Sequence, residues 1–299
     1  MNQSEMTAKI ERGDGFIAAL DQSGGSTPKA LKGYGIEEGA WHSEEEMFDL
    51  IHQMRARIIT SPCFASGKVI GAILFERTME GEVAGKPTPK ALIDLGVVPF
   101  IKIDKGLEDE ANGVQLMKPM PDLDRLLGRA KGLGVFGTKE RSVINLADRD
   151  GIHALVEQQF DIARKVLGYG LMPIIEPEVN IKSSERDAAD RILLDELLKN
   201  LDRLDDQQRV MLKLSLPAEP GLFRPLVAHP KVLRVVALSG GFSRSEACRE
   251  LIKNPGMIAS FSRALLSDLR AQQSDEEFNR TLGRAIDEIY EASVSKVPA

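Results

Sequence analysis

The sequence contains few of the residues that build metal sites and disulfide frameworks. Its two cysteines, Cys63 and Cys248, are far apart, and we expect both to remain thiols in a reducing compartment. The four histidines lack the spacing of metal ligands, and they are His42, His52, His153 and His229. No Walker loop or dinucleotide fingerprint is present. The sequence therefore predicts no metal and no cofactor.

Long apolar runs and an excess of positive charge are also missing. The first residues, Met1 to Lys9, lack the apolar core of a signal peptide, and no stretch approaches the roughly 18 apolar residues of a membrane span. The net charge of −6 argues against broad binding to nucleic acid or to an anionic membrane. We expect a cytoplasmic protein whose partner is a small molecule. Its oligomeric state stays open, and a homo-oligomer is possible.

Short apolar runs that suit buried strands recur eight times, and a helical pattern follows most of them. The runs begin at Phe16, Val69, Val97, Gly134, Leu171, Val210, Val232 and Met257. Helical spacing of apolar residues predicts helices over about 123–130, 149–167 and 187–201. Buried strands that alternate with amphipathic helices indicate a parallel sheet covered by helices.

The number of strand–helix units favours one α/β domain with the (β/α)8 TIM-barrel fold over residues 1–299. An open doubly wound sheet is the alternative, but 299 residues without a linker suit a barrel. The last predicted element is a C-terminal helix over about 275–293.

Nearly every predicted strand becomes polar at its carboxyl end, which is the rim where barrels build active sites. The polar residues are Asp21, Glu76, Lys102, Asp104, Lys139, Arg141, Glu176, Glu178, Lys213, Ser239 and Arg263. Three pairs consist of residues two positions apart, and they are Lys102/Asp104, Lys139/Arg141 and Glu176/Glu178. The strand period therefore points both members of each pair into the mouth of the barrel. Taken singly, each charge could equally be an exposed or ion-paired strand terminus.

Lys213 differs from the other rim residues because leucines flank it on both sides. An ammonium group among apolar residues must reach water, find a carboxylate or lose its proton. Only the neutral amine is a nucleophile that can form a Schiff base with a carbonyl. The residues alone leave two interpretations open, a lysine that snorkels from its strand end and a buried functional lysine.

The last two strand ends suit a phosphate group. Ser239, Gly240 and Gly241 offer a hydroxyl and two glycines that allow close approach to backbone N–H groups. Ser262 and Arg263 add a second hydroxyl and a guanidinium. A Ser-Gly-Gly sequence alone is more often a turn, but strands seven and eight are where barrels most often bind phosphate.

Six segments together resemble class I fructose-bisphosphate aldolase, in particular its shorter bacterial form. The resemblance covers about residues 15–270, and its most specific parts are Pro-Ile-Ile-Glu-Pro-Glu and Leu-Lys in this order. The segments are 16–23, 101–106, 173–178, 212–213, 238–241 and 260–265. The resemblance implies reversible aldol cleavage of fructose 1,6-bisphosphate to dihydroxyacetone phosphate and glyceraldehyde 3-phosphate, without metal.

The resemblance also implies catalytic roles. Lys213 matches the Schiff-base lysine, and Glu176 matches the acid/base that acts on the carbinolamine, with Glu178 beside it. Asp21 matches the acid near the C4 hydroxyl. Lys139 would hold substrate charge and, with Arg141, keep Lys213 partly deprotonated.

Two phosphate sites follow from the same resemblance. The residues for the ketone-side phosphate are Ser239, Gly240, Gly241, Ser262 and Arg263, and those for the other phosphate are Ser23, Ser26 and Lys102. Two features depart from the family pattern. Many members have glycine where Ser262 stands, and the sequence ends at Ala299 without the terminal tyrosine of animal members.

Other functions remain possible at this point. One is another Schiff-base barrel, such as an aldolase or transaldolase for a different phosphorylated sugar. A second is a sugar-phosphate-binding barrel without catalysis, and a third is a metal-dependent aldolase.

Overall fold

A computed structural model describes residues 1–23 and 25–297, and its central feature is a closed barrel of eight parallel strands. The strands are β1 Phe16–Leu20, β2 Val69–Leu74, β3 Val98–Lys102, β4 Gly137–Ile144, β5 Met172–Val179, β6 Val210–Ser215, β7 Val232–Leu238 and β8 Met257–Phe261. Each strand pairs with its neighbours in chain order, and β1 also pairs with β8, which closes the ring. The predicted (β/α)8 barrel is confirmed.

Twelve α-helices accompany the barrel among the described residues. They are α1 Gln3–Arg12, α2 Ser26–Gly33, α3 Glu44–Thr60, α4 Glu76–Glu80, α5 Thr88–Asp94, α6 Leu123–Gly132, α7 Arg149–Gly168, α8 Arg186–Asp202, α9 Arg224–Val227, α10 Arg244–Leu251, α11 Arg263–Leu266 and α12 Asp275–Val294. A 3-10 turn covers Glu38–Ala40, a short hairpin joins Glu82–Val83 to Lys86–Pro87, and Val114–Gln115 pairs antiparallel with β4. Within the described chain no helix is both long and apolar enough to cross a membrane.

The polar stretch after β1 leads into helix α2, which begins at Ser26. Pro28 lies in its first turn, where a backbone N–H has no partner within the helix and proline is tolerated. Gly24, Pro298 and Ala299 lie outside the described residues, and so does the expectation about the C-terminal tail.

Helix α1, which has no counterpart among the predicted elements, covers the amino-terminal end of the barrel. Its two buried residues, Met6 and Ile10, join a cluster of side chains from the barrel interior. That cluster contains residues from seven strands together with Phe136, which directly precedes β4. The strand residues include Ile17, Ile73, Phe100, Ile174, Met211, Val236 and Ile258. Arg234 on β7 donates to the carbonyl of Glu11 at 2.6 Å and fixes the end of α1. The barrel is therefore closed at the end opposite the predicted active site.

An unusual carboxyl group lies on the outer face of β4. Glu140 alternates with Lys139 and Arg141, and its neighbour on β5 is Ile175, which packs in the layer between strands and helices. The Glu140 side chain is fully buried, and neither carboxyl oxygen has a hydrogen-bond partner among the described residues. Burial raises the pKa of this carboxyl well above its usual range, and the charge of Asp104 adds to the effect.

We predict that Glu140→Gln stabilises the protein increasingly as the pH rises. In the folded protein Glu140 keeps its proton, whereas the unfolded chain releases it above about pH 4.5. The stability that the protonated form contributes is complete below that pH and is lost as the pH rises toward the folded-state pKa, by about 1.4 kcal/mol per pH unit. Thermal midpoints of both proteins at pH 5 and pH 8 measure the difference. A benefit of the same size at both pH values, or one that an exposed Glu38→Gln control also shows, would contradict the prediction.

Candidate active site

Four buried charged side chains meet at the carboxyl end of the barrel. Asp21 follows β1, Lys139 lies on β4, Glu176 on β5 and Lys213 on β6. Their exposed fractions are 8%, 3%, 3% and 4%. The strand period explains why they point inward, because Met211 and Ile174, two residues before Lys213 and Glu176, belong to the interior cluster.

The four groups form a chain of alternating charge. Lys139 Nζ lies 2.7 Å from Asp21 Oδ2 and 2.9 Å from Glu176 Oε2. The other oxygen of Glu176, Oε1, lies 3.1 Å from Lys213 Nζ. Glu176 therefore contacts both lysines, and Lys213 is a buried, paired lysine and not one that extends into water.

The pKa shifts follow from this arrangement. Burial raises the pKa of the Asp21 carboxyl, but the charges of Lys139 and Lys213 outweigh burial and hold that pKa well below its usual range. Burial lowers the pKa of the Lys139 ammonium, but Asp21, Glu176 and Asp104 outweigh it and raise that pKa. Asp21 and Lys139 are thus both charged at neutral pH.

The remaining charged pairs lie nearer the opening of the barrel. Arg141 Nε donates to Glu178 Oε2. Lys102 Nζ lies 2.6 Å from Asp104 Oδ1 and donates also to the Asp104 carbonyl at 2.8 Å. Arg141 and Lys139 are each paired with carboxylates. The expectation that they keep Lys213 partly deprotonated therefore stays a prediction.

The ends of the neighbouring strands β7 and β8 lie close together at the rim of the barrel. Ser239 is buried, and Gly240 and Gly241 both have positive φ, at 58° and 110°. A Cβ at Gly240 would lie 2.9 Å from Ile181, so glycine is required there. A Cβ at Gly241 would lie 4.0 Å from Arg263 Nη2, which places the guanidinium beside the two glycines.

The loop after β1 is closed by its own hydrogen bonds. The Ser26 hydroxyl donates to the Ser23 carbonyl at 2.7 Å and accepts from the Ser23 N–H at 3.0 Å. Ser26 would therefore have to turn away from Ser23 before its hydroxyl could donate to a phosphate.

Sequence reasoning missed two polar residues behind this loop, Gln22 and Arg55. Gln22 Nε2 donates to Ser262 Oγ at 2.5 Å, and Arg55 Nη2 donates to the Gln22 carbonyl at 2.5 Å. Arg55 follows Met54, which belongs to the apolar stripe of α3. An arginine beside that stripe is the only sequence feature from which a buried role of Arg55 could have been predicted.

A lysine is buried against a carboxylate at the mouth of the (β/α)8 barrel, with a Ser-Gly-Gly loop and an arginine at the same rim. This site has the groups that an enzyme of the Schiff-base class requires. The family profile described as fructose-bisphosphate aldolase class-I matches residues 3–214. The chain belongs to the class I fructose-bisphosphate aldolase family, whose members act without metal through a lysine Schiff base.

Two solved structures share the fold. A fructose-bisphosphate aldolase from Plasmodium falciparum, solved with TRAP and a small-molecule inhibitor, superposes with a TM-score of 0.80 at 20% identity, over 99% of this chain and 96% of that one. An archaeal fructose-1,6-bisphosphate aldolase, whose catalytic lysine is covalently bound to the carbinolamine intermediate, gives 0.55 at 14% identity, over 97% of this chain and 100% of that one.

We predict that Lys139→Met destabilises the protein by about 3–5 kcal/mol, because Asp21 and Glu176 lose the cation between them. The double variant Asp21→Asn/Lys139→Met should recover a large part of that loss, since Glu176 then keeps Lys213 as its partner. Denaturant unfolding of the two single variants and the double variant gives the coupling energy.

The exposed pair Lys68–Asp287, at 2.7 Å, is the matched control, and its cycle should show little coupling. If the losses of Asp21→Asn and Lys139→Met simply add, the two groups are not energetically coupled and this account of the site is wrong.

Proposed function

We propose that Lys213 forms the Schiff base through which this aldolase cleaves fructose 1,6-bisphosphate, and that Glu176 transfers protons at its nitrogen. The observation that carries the proposal is the buried contact of 3.1 Å between Lys213 Nζ and Glu176 Oε1 in the barrel mouth. The archaeal neighbour, with its catalytic lysine bound to the carbinolamine intermediate, supports this chemistry for a lysine in the same fold.

Schiff-base formation requires several proton transfers at one nitrogen. Lys213 must lose a proton before it attacks C2 of the ketose, and the resulting carbinolamine must then lose its hydroxyl as water. Glu176 is the carboxylate in contact with Lys213, so it can accept the first proton and return one to the departing hydroxyl. Glu178 lies two residues further along β5, and it forms an ion pair with Arg141. This pair would lie beside the bound substrate.

Carbon–carbon cleavage requires a base at the C4 hydroxyl. The protonated imine withdraws the electron pair of the C3–C4 bond as the hydroxyl loses its proton and becomes the aldehyde. We assign this proton to Asp21, because its low pKa keeps it ionised over the neutral range. The same low pKa weakens Asp21 as a base, and so the transfer is favoured only in concert with bond cleavage. Enamine protonation at C3 and hydrolysis then release dihydroxyacetone phosphate.

The rim residues supply two separate anion sites. Ser239, Gly240, Gly241 and Arg263, with Ser262, would bind the ketone-side phosphate, because the glycines expose backbone N–H groups beside the guanidinium. Lys102 and Ser23, with Ser26 after a rotation of its hydroxyl, would bind the other phosphate. Lys139 would hold Asp21 and Glu176 in place between the two phosphate sites.

We place the reaction in the cytoplasm, since both cysteines are free thiols.

We predict that borohydride added with dihydroxyacetone phosphate traps a stable adduct on Lys213, because hydride transfer to C2 of the imine gives a secondary amine that cannot hydrolyse. Peptide mass mapping locates the adduct. Lys213→Met should abolish both the adduct and activity, whereas Lys105→Met, which removes a rim lysine paired with Glu76, should retain both. A wild-type adduct on any other lysine would refute the assignment.

We predict further that kcat/KM for fructose 1,6-bisphosphate exceeds that for fructose 1-phosphate by at least about tenfold, since charge-assisted hydrogen bonds to a second phosphate contribute roughly 1.5–3 kcal/mol. Steady-state kinetics with both substrates, with and without a chelator, provide the measurement. Equal values would favour an aldolase for a different phosphorylated sugar, and loss of activity with the chelator would indicate metal-dependent chemistry.

A further inference from the structure

Arg55 is a fully buried arginine that the proposed mechanism does not use. It lies in α3, and its side chain has an exposed fraction of 0%. No carboxylate within the described residues pairs with its guanidinium. Burial lowers the pKa of Arg55 to about 10, partly offset by the charge of Asp21, so the group remains a cation at neutral pH.

The hydrogen bonds of Arg55 join two neighbouring strand ends. Nη1 donates to Thr78 Oγ1 at 2.7 Å, and Thr78 lies in α4 directly after β2. Nη2 donates to the Gln22 carbonyl at 2.5 Å and lies 3.4 Å from Gln22 Oε1. Gln22 is the residue between Asp21 and Ser23, so the guanidinium fixes the backbone between the proposed base and a proposed phosphate ligand.

The side chain of Gln22 extends the connection to β8. Its amide donates to Ser262 Oγ at 2.5 Å, and Ser262 precedes Arg263. Since β2, β1 and β8 are adjacent in the barrel, one arginine holds three consecutive strand ends in a fixed relation. Only its contacts with Gln22 and Thr78 are direct.

A purely structural purpose explains this arrangement poorly. A buried cation without a carboxylate is costly, and a neutral side chain would fill the same space at a smaller cost. The planar fork of a guanidinium, however, can bond to two acceptors at a fixed angle, which is what the alignment of two loops requires.

We propose that Arg55 is a positioning residue that sets the loop after β1 for the phosphate on the aldehyde half of the substrate, acting through Gln22. This inference rests on the proposed function, and within it Arg55 governs selectivity for a bisphosphate. A substrate with a phosphate only on the ketone side has no phosphate for Ser23 and Ser26 to bind, so its KM should be insensitive to Arg55.

The test compares wild type with Arg55→Lys and Arg55→Met in steady-state kinetics. An ammonium group keeps the charge but cannot hold both acceptors in the geometry of the fork. Both variants should raise KM for fructose 1,6-bisphosphate by about tenfold or more, and they should change KM for fructose 1-phosphate by less than about twofold. Borohydride trapping with dihydroxyacetone phosphate should remain complete on Lys213.

Arg234→Met is the matched control. Arg234 likewise donates to backbone carbonyls, those of Glu11 and Gly13, but it lies at the opposite end of the barrel. Its loss should lower Tm and leave the ratio of the two KM values as in wild type. If an Arg55 variant lowers Tm in the same way and leaves that ratio unchanged, the role of Arg55 is only structural and the proposal fails.

A second pair of variants tests the proposal if the Arg55 variants do not fold. Gln22 is partly exposed, and Gln22→Leu removes its side-chain bonds to Arg55 and Ser262. It should raise KM for the bisphosphate more than KM for fructose 1-phosphate, because the lost bond to Ser262 concerns the ketone-side site that both substrates use, whereas the lost bond to Arg55 concerns the loop after β1. Gln22→Glu, which restores an acceptor toward Arg55, should recover most of that difference. An equal rise for both substrates would overturn the proposal. Absence of a wild-type adduct on Lys213 would instead overturn the proposed function.

Discussion

The structure depends on keeping four buried charges together. Asp21, Lys139, Glu176 and Lys213 lie in or directly after four different strands, and each would be costly to bury alone. Two are lysines and two are acids, and each carboxyl group has a lysine Nζ within 3.1 Å. The strands must therefore close in the observed register for the charges to be tolerated. The fold and the candidate site thus require the same geometry, so a change in either affects the other.

Much of this geometry could be predicted from the sequence, because two simple periodicities determine it. Apolar runs predicted most of the strands, since a strand covered on both faces is usually continuously apolar. The segment that forms β4, with Lys139, Glu140 and Arg141, is less apolar and only strand-like in its pattern. The spacing of two between Lys139 and Arg141, and between Glu176 and Glu178, placed each pair on one face of its strand. The structure shows Lys139 against Glu176 and Arg141 against Glu178, as that alternation requires. The catalytic roles of these residues are proposals that the geometry supports.

Other features could not be predicted because they depend on contacts between distant segments. Arg55 lies in a helix whose apolar stripe indicates only core packing, and nothing local shows that its guanidinium reaches the loop after β1. The alternation that turns Lys139 inward turns Glu140 outward, but whether that outer face meets water or a helix is decided by the fold. Helix α1 was missed for a similar reason, since two buried side chains are too few to give a helical period.

Helix α1 has a consequence for the order in which the protein is made. It precedes β1, so it leaves the ribosome before any strand of the barrel. Its binding surface, however, includes β2, β3 and β7, and Arg209 and Arg234 both bond to Glu11 at its end. The helix must therefore wait for more than two hundred residues of synthesis before its docking surface exists. The helix is made before every strand of the barrel but is among the last segments to reach its final position, because its docking requires β7.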